Sequence, residues 1–224
     1  MIVCIPDVLT GEEIKKLRAE AALLPFVPGT ETAGGRARRV KNNEQVSQKA
    51  DERKALHEIV IAALSRSKEF QRVTLSKRIR PPLISRYRAG MAYGRHVDNA
   101  LMGPKAARER SDVSVTVFIS DIDEYDGGEL IIHGAFGMQE VKLPSGSVVA
   151  YPSSSLHEVT EVTRGERLVA VTWVQSYVRD DRQREILAHL AQVKDKMNEI
   201  APDLEETDLV HHSYTNLLRM WAET

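Results

Sequence analysis

Between residues 78 and 178, short segments of alternating apolar and polar residues are separated by turns, and this pattern limits the fold more than any other. In residues 113–119, valine or isoleucine occupies every second position, which is the period of a half-buried β-strand. Residues 126–128 (DGG) and 144–146 (PSG) are turn signals between neighbouring strands. Many short strands at regular spacing are typical of an antiparallel barrel or sandwich, such as a jelly roll.

Helical patterns flank this region on both sides. Thr10, followed by Glu13 three residues later, forms a capping-box pattern ahead of a first helix, and a second helix is predicted from about Ser47 to Arg66. Apolar residues at steps of three and four predict two amphipathic helices in the tail, separated by Pro202. Their apolar stripes are Ile186, Leu190, Val193, Met197 and Ile200 in the first helix, and Val210, Tyr214, Leu217 and Trp221 in the second.

These patterns predict an α+β protein with a jelly-roll core. Residues 1–77 are expected to form a strand and helices that pack on the core, residues 78–178 the core itself, and residues 179–224 a C-terminal helical hairpin. Two amphipathic helices cannot bury both of their apolar stripes in a hairpin alone. The tail must therefore dock on the core, on the N-terminal helices or on another subunit, and a homodimer or other homo-oligomer is expected.

The charge balance and the single cysteine exclude several classes of protein. The formal net charge is −1, so no global positive field points to a nucleic acid or an anionic membrane as partner. Cys4 alone excludes an intramolecular disulfide and a thiolate zinc site, and within the apolar run 2–5 it is expected to be buried. No segment approaches the roughly 20 apolar residues of a membrane span, and no secretory signal is visible, so a cytoplasmic protein is expected.

Two histidines and an aspartate have the spacing of a metal site. His96 and Asp98 are two residues apart, so on a strand they project from the same face. His157, on a distant strand, can complete a face of two imidazoles and one carboxylate. Such a set leaves three adjacent metal positions open, which suits an Fe(II) that must hold a cosubstrate and O₂ together. These three residues are the predicted metal ligands and the predicted catalytic centre.

A cosubstrate that chelates the metal needs an anchor for its far carboxylate. Arg167 lies ten residues after His157, where an inward-facing strand begins, and its guanidinium can bind a carboxylate through two parallel hydrogen bonds. Tyr87, on the strand expected to lead into the ligand segment, can donate a phenolic hydrogen bond to the same group. Arg164 is the alternative anchor, but Gly165 places it in a turn, so Arg167 is preferred.

The segment 96–99 (HVDN), with Tyr87 and Tyr93 upstream, resembles the ligand strand of prolyl-hydroxylase-type 2-oxoglutarate oxygenases. It is still more similar to the bacterial PKHD-type hydroxylases, often called the PiuC family, and the similarity covers nearly the whole chain. The further shared segments are 40–45 (VKNNEQ), 125–130 (YDGGEL), 151–157 (YPSSSLH), 162–167 (VTRGER) and 173–176 (WVQS).

The resemblance implies a double-stranded β-helix core, iron bound by His96, Asp98 and His157, and 2-oxoglutarate bound by Arg167. It also implies a hydroxylase that consumes O₂ and releases succinate and CO₂, with L-ascorbate as a supporting reductant and a link to iron homeostasis. The sequence leaves three substrate classes open: an amino-acid-like molecule, a peptidyl side chain and a siderophore-like molecule.

The same residues are also compatible with other functions. A non-catalytic metal-binding jelly-roll sensing module is the alternative function, although a pure sensor has no need of a carboxylate anchor. A metal-dependent hydrolase requires a general base beside the metal, and Glu158 should point away from His157 on a strand. A nucleic-acid demethylase is disfavoured by the near-neutral charge. The loop 99–110 is either a lid or an ordinary surface loop, and Trp173 is expected in the core or an interface.

Overall fold

The structure, a computed structural model, describes residues 1–49, 53–135 and 137–224. The helices are α1 (Gly11–Ala22), α2 (Arg53–Arg66), α3 (Lys68–Thr74), α4 (Asp181–Ile200) and α5 (Glu205–Trp221). The strands are β1 (Val3–Ile5), β2 (Phe26–Pro28), β3 (Lys41–Asn42), β4 (Glu44–Val46), β5 (Ser76–Ile79), β6 (Leu83–Arg88), β7 (Ala92–His96), β8 (Leu101–Met102), β9 (Glu109–Arg110), β10 (Val113–Phe118), β11 (Tyr125–Gly127), β12 (Leu130–Gly134), β13 (Gly137–Val141), β14 (Val148–Pro152), β15 (Leu156–Val159) and β16 (Val162–Ser176).

Most of the strands form two antiparallel sheets. The major sheet has the order β1-β14-β10-β16-β6-β4-β2, and β5 and β11 also pair with β16. The minor sheet has the order β13-β12-β15-β7-β3. Buried residues of both sheets, among them Phe118 and Val169 of the major sheet and Leu130 and Val159 of the minor one, form a single apolar cluster. The predicted α+β class with a jelly-roll core is confirmed.

Strand β10 is buried on both faces, whereas the alternation of its sequence predicted a half-buried strand. All of its residues are buried, because β14 and β16 flank it and both of its faces are covered. Val115 and Val117 join the cluster that includes the N-terminal helices. Thr116, on the opposite face, lines the cavity between the two sheets. Both faces of β10 therefore point into the interior, one toward the helices and the other toward the space between the two sheets.

The N-terminal helices cover the outer face of the major sheet. Leu17 of α1, Leu64 of α2 and Phe70 of α3 lie in one buried cluster with Ile84 of β6. The predicted capping box is present, since the Thr10 side chain accepts a hydrogen bond from the Glu13 N–H and the Glu13 carboxylate accepts one from the Thr10 N–H at 2.9 Å.

Two N-terminal predictions require correction. The second helix was predicted from Ser47, but residues 47–49 are not helical and α2 occupies Arg53–Arg66; residues 50–52 lie outside the described part of the chain. Cys4 is exposed and not buried. It lies on the edge strand β1, where Val3 and Ile5 face the core and the residue between them points outward.

The tail forms the predicted helical hairpin, but α4 docks through a different face. Leu187 and Ala191 are buried, whereas Ile186, Val193 and Ile200 of the predicted stripe are 46%, 49% and 63% exposed. Helix α4 packs on α3 and α5, so the stripe is left partly uncovered. No helix in the described ranges is both long and apolar enough to cross a membrane.

Candidate active site

A cavity of about 670 Å³ opens between the two sheets. Its lining includes His96, Asp98 and His157 at one side and Arg167 with Tyr87 at another, so every residue of the predicted site reaches the same cavity. The strands bring together residues that are up to 80 positions apart in the chain, from Tyr87 to Arg167.

His96 and His157 face each other across a strand pair. They are direct partners in the register of β7 with β15, and their ring centroids are 4.2 Å apart. Asp98 lies two residues beyond the end of β7, so it does not share a strand with His96 as predicted, yet its Oδ2 is 3.8 Å from the Nε2 of His157. One ligand atom from each of the three residues lies within 4.8 Å of the others.

Backbone carbonyls fix the orientation of both imidazoles. The Nδ1 of His96 donates to the carbonyl of Gly94 at 2.8 Å, and the Nδ1 of His157 donates to the carbonyl of Ser155 at 3.0 Å. Because a carbonyl only accepts, the proton of each neutral ring sits on Nδ1 and the lone pair is left on Nε2. Burial and the neighbouring His157 lower the pKa of His96 to about 4, which keeps this ring neutral at physiological pH.

A serine pair holds the carboxylate of Asp98. The hydroxyl of Ser114, which is fully buried on β10, donates to Oδ2 of Asp98 at 2.6 Å. The Oγ of Ser153 is 2.8 Å from that of Ser114. Because the single hydroxyl proton of Ser114 is directed at the carboxylate, the contact between the serines requires Ser153 to donate. Neither serine was predicted as a site residue.

Aromatic rings surround the two histidines. The ring of Tyr93 stacks on His96 with centroids 3.6 Å apart, and the ring of Tyr151 meets His157 edge-on at 5.2 Å. Burial raises the pKa of Tyr93 and that of Tyr151 well above the usual value, so both phenols keep their protons. The two rings restrict the rotation of the imidazoles and shield them from water.

Arg167 is a buried cation with donor capacity to spare. Its side chain is 1% exposed, and its Nε has no hydrogen-bond partner among the described residues. The guanidinium lies 5.1 Å from the ring of Tyr87, its direct register partner on β6. At Gly128, where φ is +68°, a Cβ would lie 2.9 Å from the Arg167 Cδ, so glycine allows the backbone to approach this side chain closely.

A buried guanidinium without a counter-ion is costly unless a ligand supplies the charge. Within the described residues, no carboxylate lies in ion-pair range of Arg167. The arrangement therefore suits an anion that enters the cavity and binds to Arg167. Tyr87 lies on β6, the strand that precedes β7 in the chain, and a turn at 89–90 puts these two strands in different sheets.

Two other residues weighed from the sequence lie outside this site. Arg164 is exposed and pairs with Asp126 at 2.6 Å, which leaves Arg167 as the buried guanidinium. Glu158 points away from the cavity and contacts His133 at 3.0 Å, so it provides no general base beside the histidines. The arrangement disfavours a metal-dependent hydrolase.

The cavity also contains residues that the sequence did not reveal as functional. Lys41, Asn43 and Gln45 alternate along β3 and β4 and all line it. Trp173, expected in the core or an interface, is half-buried in the lining. The signal that could have revealed the first three was the segment 40–45 itself, whose every second residue faces the cavity.

The comparisons with known proteins agree with this geometry. Residues 82–175 match the family model of the 2OG-Fe(II) oxygenase superfamily. A PKHD-type hydroxylase of Synechococcus sp. (strain JA-2-3B'a(2-13)) is 45% identical over 223 residues, and one of Burkholderia ambifaria (strain MC40-6) is 43% identical over 227; each alignment covers 100% of both chains. The crystal structure of a Pseudomonas putida prolyl-4-hydroxylase aligns with a TM-score of 0.55 at 19% identity, over 78% of this chain and 92% of that one, and shows the same fold.

Proposed function

This chain belongs to the PKHD-type hydroxylases of the 2OG-Fe(II) oxygenase superfamily, and from that premise we propose that it hydroxylates a substrate held in the cavity between its sheets. Fe(II) and 2-oxoglutarate are the cofactors that membership of this superfamily implies. The single observation that carries the proposal is the meeting of the His96, Asp98 and His157 ligand atoms in a cavity that also contains the unpaired guanidinium of Arg167.

Fe(II) is proposed to bind to His96, Asp98 and His157. The donor chemistry suits this metal, because two neutral imidazoles and one carboxylate leave adjacent positions free, whereas thiolates would favour zinc. The hydrogen bonds from both Nδ1 atoms support the assignment, since they direct each Nε2 toward the same point. Ser114 orients the carboxylate in the same way.

The far carboxylate of 2-oxoglutarate is proposed to bind to Arg167 and Tyr87. A guanidinium whose Nε has no partner can donate two parallel hydrogen bonds to a carboxylate. The phenol of Tyr87 keeps its proton, because burial raises its pKa, and it can donate a third hydrogen bond. This anchor also disfavours the non-catalytic sensing module, which would need a metal but no carboxylate site.

When bound, Fe(II) and 2-oxoglutarate supply the oxidising power that transfers one oxygen atom of O₂ to a substrate C–H bond, with succinate and CO₂ as co-products. The protein contributes placement. His96, Asp98 and His157 would hold the metal, and Arg167 would orient the cosubstrate. Tyr93 and Tyr151 exclude water from the histidines, which limits side reactions of an oxidising centre.

Three further features belong to the proposal. L-ascorbate is expected to support turnover by keeping the iron reduced. A cytoplasmic location is proposed because Fe(II) is most readily maintained in a reducing compartment. A role in iron homeostasis is proposed on the resemblance to the PiuC family.

A homodimer formed through the tail is proposed from the stripe that α4 leaves uncovered. Ile186, Val193 and Ile200 recur every seven residues, and all three are more than two-fifths exposed. An apolar stripe of this spacing packs well against a second copy of itself.

The proposal is tested by succinate formation from 2-oxoglutarate in purified protein supplied with Fe(II), O₂ and ascorbate. Wild-type protein should release succinate slowly even without a substrate, and His96→Ala, Asp98→Ala and His157→Ala should release none above background. His133→Ala is the matched control, because this histidine contacts Glu158 outside the cavity and should behave as wild type. Wild-type turnover in any of the three ligand variants would overturn the metal assignment.

A further inference from the structure

The cavity is larger than the proposed cofactors need. Trp173 lies six residues along β16 from Arg167, which puts the two Cα atoms about 20 Å apart at a strand rise of about 3.3 Å per residue. A five-carbon cosubstrate held by Arg167 cannot reach that far. The part of the cavity lined by Lys41, Arg53 and Trp173, here termed the outer pocket, is therefore left for the substrate.

The outer pocket is cationic. Among the described residues that line the whole cavity, Asp98 is the one carboxylate, and the basic residues are Lys41, Arg53, Lys54, Arg80 and Arg167. Asp98 is committed to the proposed metal and Arg167 to the proposed cosubstrate. The guanidinium of Arg80 already pairs with Glu109 at 2.6 Å. Lys41, Arg53 and Lys54 thus present positive charge that the cofactors do not use.

Lys41 is the most constrained of these cations. Its Nζ donates to Thr32 Oγ1 at 3.2 Å and lies 5.2 Å from the ring of Tyr93, which stacks on His96. Across the described ranges of the chain, it has no carboxylate in ion-pair range. Burial lowers the pKa of this ammonium to about 8, so burying its charge is costly and an anionic ligand would be stabilised there.

Other unpaired donors point into the same space. In the described part of the chain, the Nη1 of Arg53 and the indole Nε1 of Trp173 are buried without a hydrogen-bond partner. Buried polar groups are normally paired, so two unpaired donors facing one cavity indicate a ligand that offers acceptors.

We propose that the substrate is a small molecule bearing a carboxylate, which Lys41 and Arg53 bind while Trp173 donates its indole N–H to another acceptor of the same molecule. This inference rests on the proposed function, because it assigns the unused part of the same cavity to the substrate. The whole cavity, part of which the cofactors fill, has a volume of about 670 Å³, so the space left in it favours a free small molecule over a long peptide.

The proposal predicts that the outer pocket distinguishes acids from their neutral amides. Replacing Trp221 by Phe leaves Trp173 as the sole tryptophan, because the chain contains two. This protein is loaded with Zn(II) and N-oxalylglycine, so that the metal and Arg167 sites are filled and no turnover occurs. The probes are a panel of N-acetyl amino acids and the matching N-acetyl amino acid amides, and the readout is the fluorescence of Trp173.

At least one acid should change the fluorescence saturably and bind about tenfold or more tightly than its amide, as expected for the loss of one charged hydrogen-bond contact. Lys41→Met and Arg53→Met should each weaken the acid by about tenfold and change the affinity for the amide by less than twofold. Lys41→Gln is a second variant should the first fail to fold. Lys15→Met is the control, because it removes the same charge from an exposed position on α1 and should leave acid binding unchanged.

Equal responses to acids and amides, including no response to either, would overturn the inference, and so would undiminished acid binding in Lys41→Met and Arg53→Met. The Fe(II)–2-oxoglutarate absorption of the same proteins reports the proposed function separately. A protein that forms this complex without distinguishing acids from amides refutes the substrate inference alone. A protein that distinguishes them but forms no such complex refutes the proposed function.

Discussion

The hydroxyl of Ser114, on strand β10, contacts the proposed metal ligand Asp98, and a single substitution can remove this contact. It donates to Oδ2 of Asp98 at 2.6 Å from a fully buried position. Ser114→Ala deletes this hydrogen bond together with the contact to Ser153, and alanine occupies no new space. The carboxylate then keeps its place but loses the group that fixes its rotamer, so Fe(II) binding should weaken.

The expected loss follows from the strength of the contact. A hydrogen bond to a charged group contributes about 1.5–3 kcal/mol. At about 1.4 kcal/mol for each factor of ten, this corresponds to a loss of roughly 10- to 100-fold in metal affinity, which is also the range typical of outer ligands around protein metals. The variant should in addition lose on the order of 1 kcal/mol of stability, because the hydroxyl of Ser153 is left without its acceptor.

The assay is an anaerobic calorimetric titration of the apo-protein with Fe(II), and thermal unfolding checks that the variant is folded. Ser147→Ala is the matched control, because Ser147 is also buried but does not contact Asp98. Its affinity should equal that of the wild type. A folded Ser114→Ala variant that binds Fe(II) within twofold of the wild type would refute the assigned role of this serine.

Three further predictions concern the anchor, the capping box and the tail. Arg167→Met should raise the unfolding temperature of the apo-protein, because it removes an unpaired buried charge. The same variant should raise the KM for 2-oxoglutarate at least 30-fold. Arg164→Met is the control and should leave this KM unchanged. The guanidinium of Arg66 lowers the pKa of Glu13 from 4.5 to about 2, so the ionised carboxylate contributes stability above pH 4.5 that is lost as the pH falls toward 2. Because the pair is partly exposed, Glu13→Gln should cost about 1 kcal/mol at pH 7 by urea unfolding, and the difference should vanish near pH 2. Val193→Glu should convert a dimer to a monomer in gel filtration with light scattering, because it places a charge on the uncovered stripe of α4.

Each of these predictions has an outcome that contradicts it. An unchanged KM in Arg167→Met would reject that anchor, and a stability difference for Glu13→Gln that persists at pH 2 would reject the ionic origin of the effect. Gln192→Glu adds the same charge beside the stripe and should leave the oligomer intact. A wild-type protein that is monomeric, or a Val193→Glu variant that remains a dimer, would reject the tail as the interface.

The fold could be predicted from the sequence because its signals are local. Alternation in residues 113–119 and turn residues such as those at 144–146 indicated a jelly roll without knowledge of any contact, whereas the turn predicted at 126–128 was wrong, because Asp126 and Gly127 belong to strand β11. The meeting of His96, Asp98 and His157 could be predicted because few residue types bind metals, although Asp98 reaches His157 from beyond the end of β7 and not from the same strand as His96. Arg167 was predicted at the start of an inward-facing strand, and it does line the same cavity.

What could not be predicted depends on which elements cover a strand. Alternation shows that β10 has two different faces, but not that the polar face of Ser114 and Thr116 turns toward a cavity instead of solvent. Cys4 was predicted to be buried because its neighbours are apolar, yet an edge strand exposes one of its faces. The prediction that α4 docks through its apolar stripe was wrong for the same reason. The position of α3, and not the stripe, decides which side of α4 is covered.

The positions of Lys41 and Trp173 in the cavity could not be predicted from sequence patterns either. A lysine in a strand usually reaches solvent, and a tryptophan usually lies in the core. Only the three-dimensional arrangement shows that both line the cavity, and that the indole N–H lacks a partner within the described residues.

The most direct test of the account is the anaerobic absorption spectrum of the protein with Fe(II) and 2-oxoglutarate. Chelation of the metal by the keto acid should give a weak visible charge-transfer band in the wild type. The band should be lost in His96→Ala and in Arg167→Ala measured at a 2-oxoglutarate concentration that saturates the wild type. Folded, iron-loaded wild-type protein that shows no band, or an undiminished band in those two variants, would contradict the proposed centre and favour the non-catalytic metal-binding module.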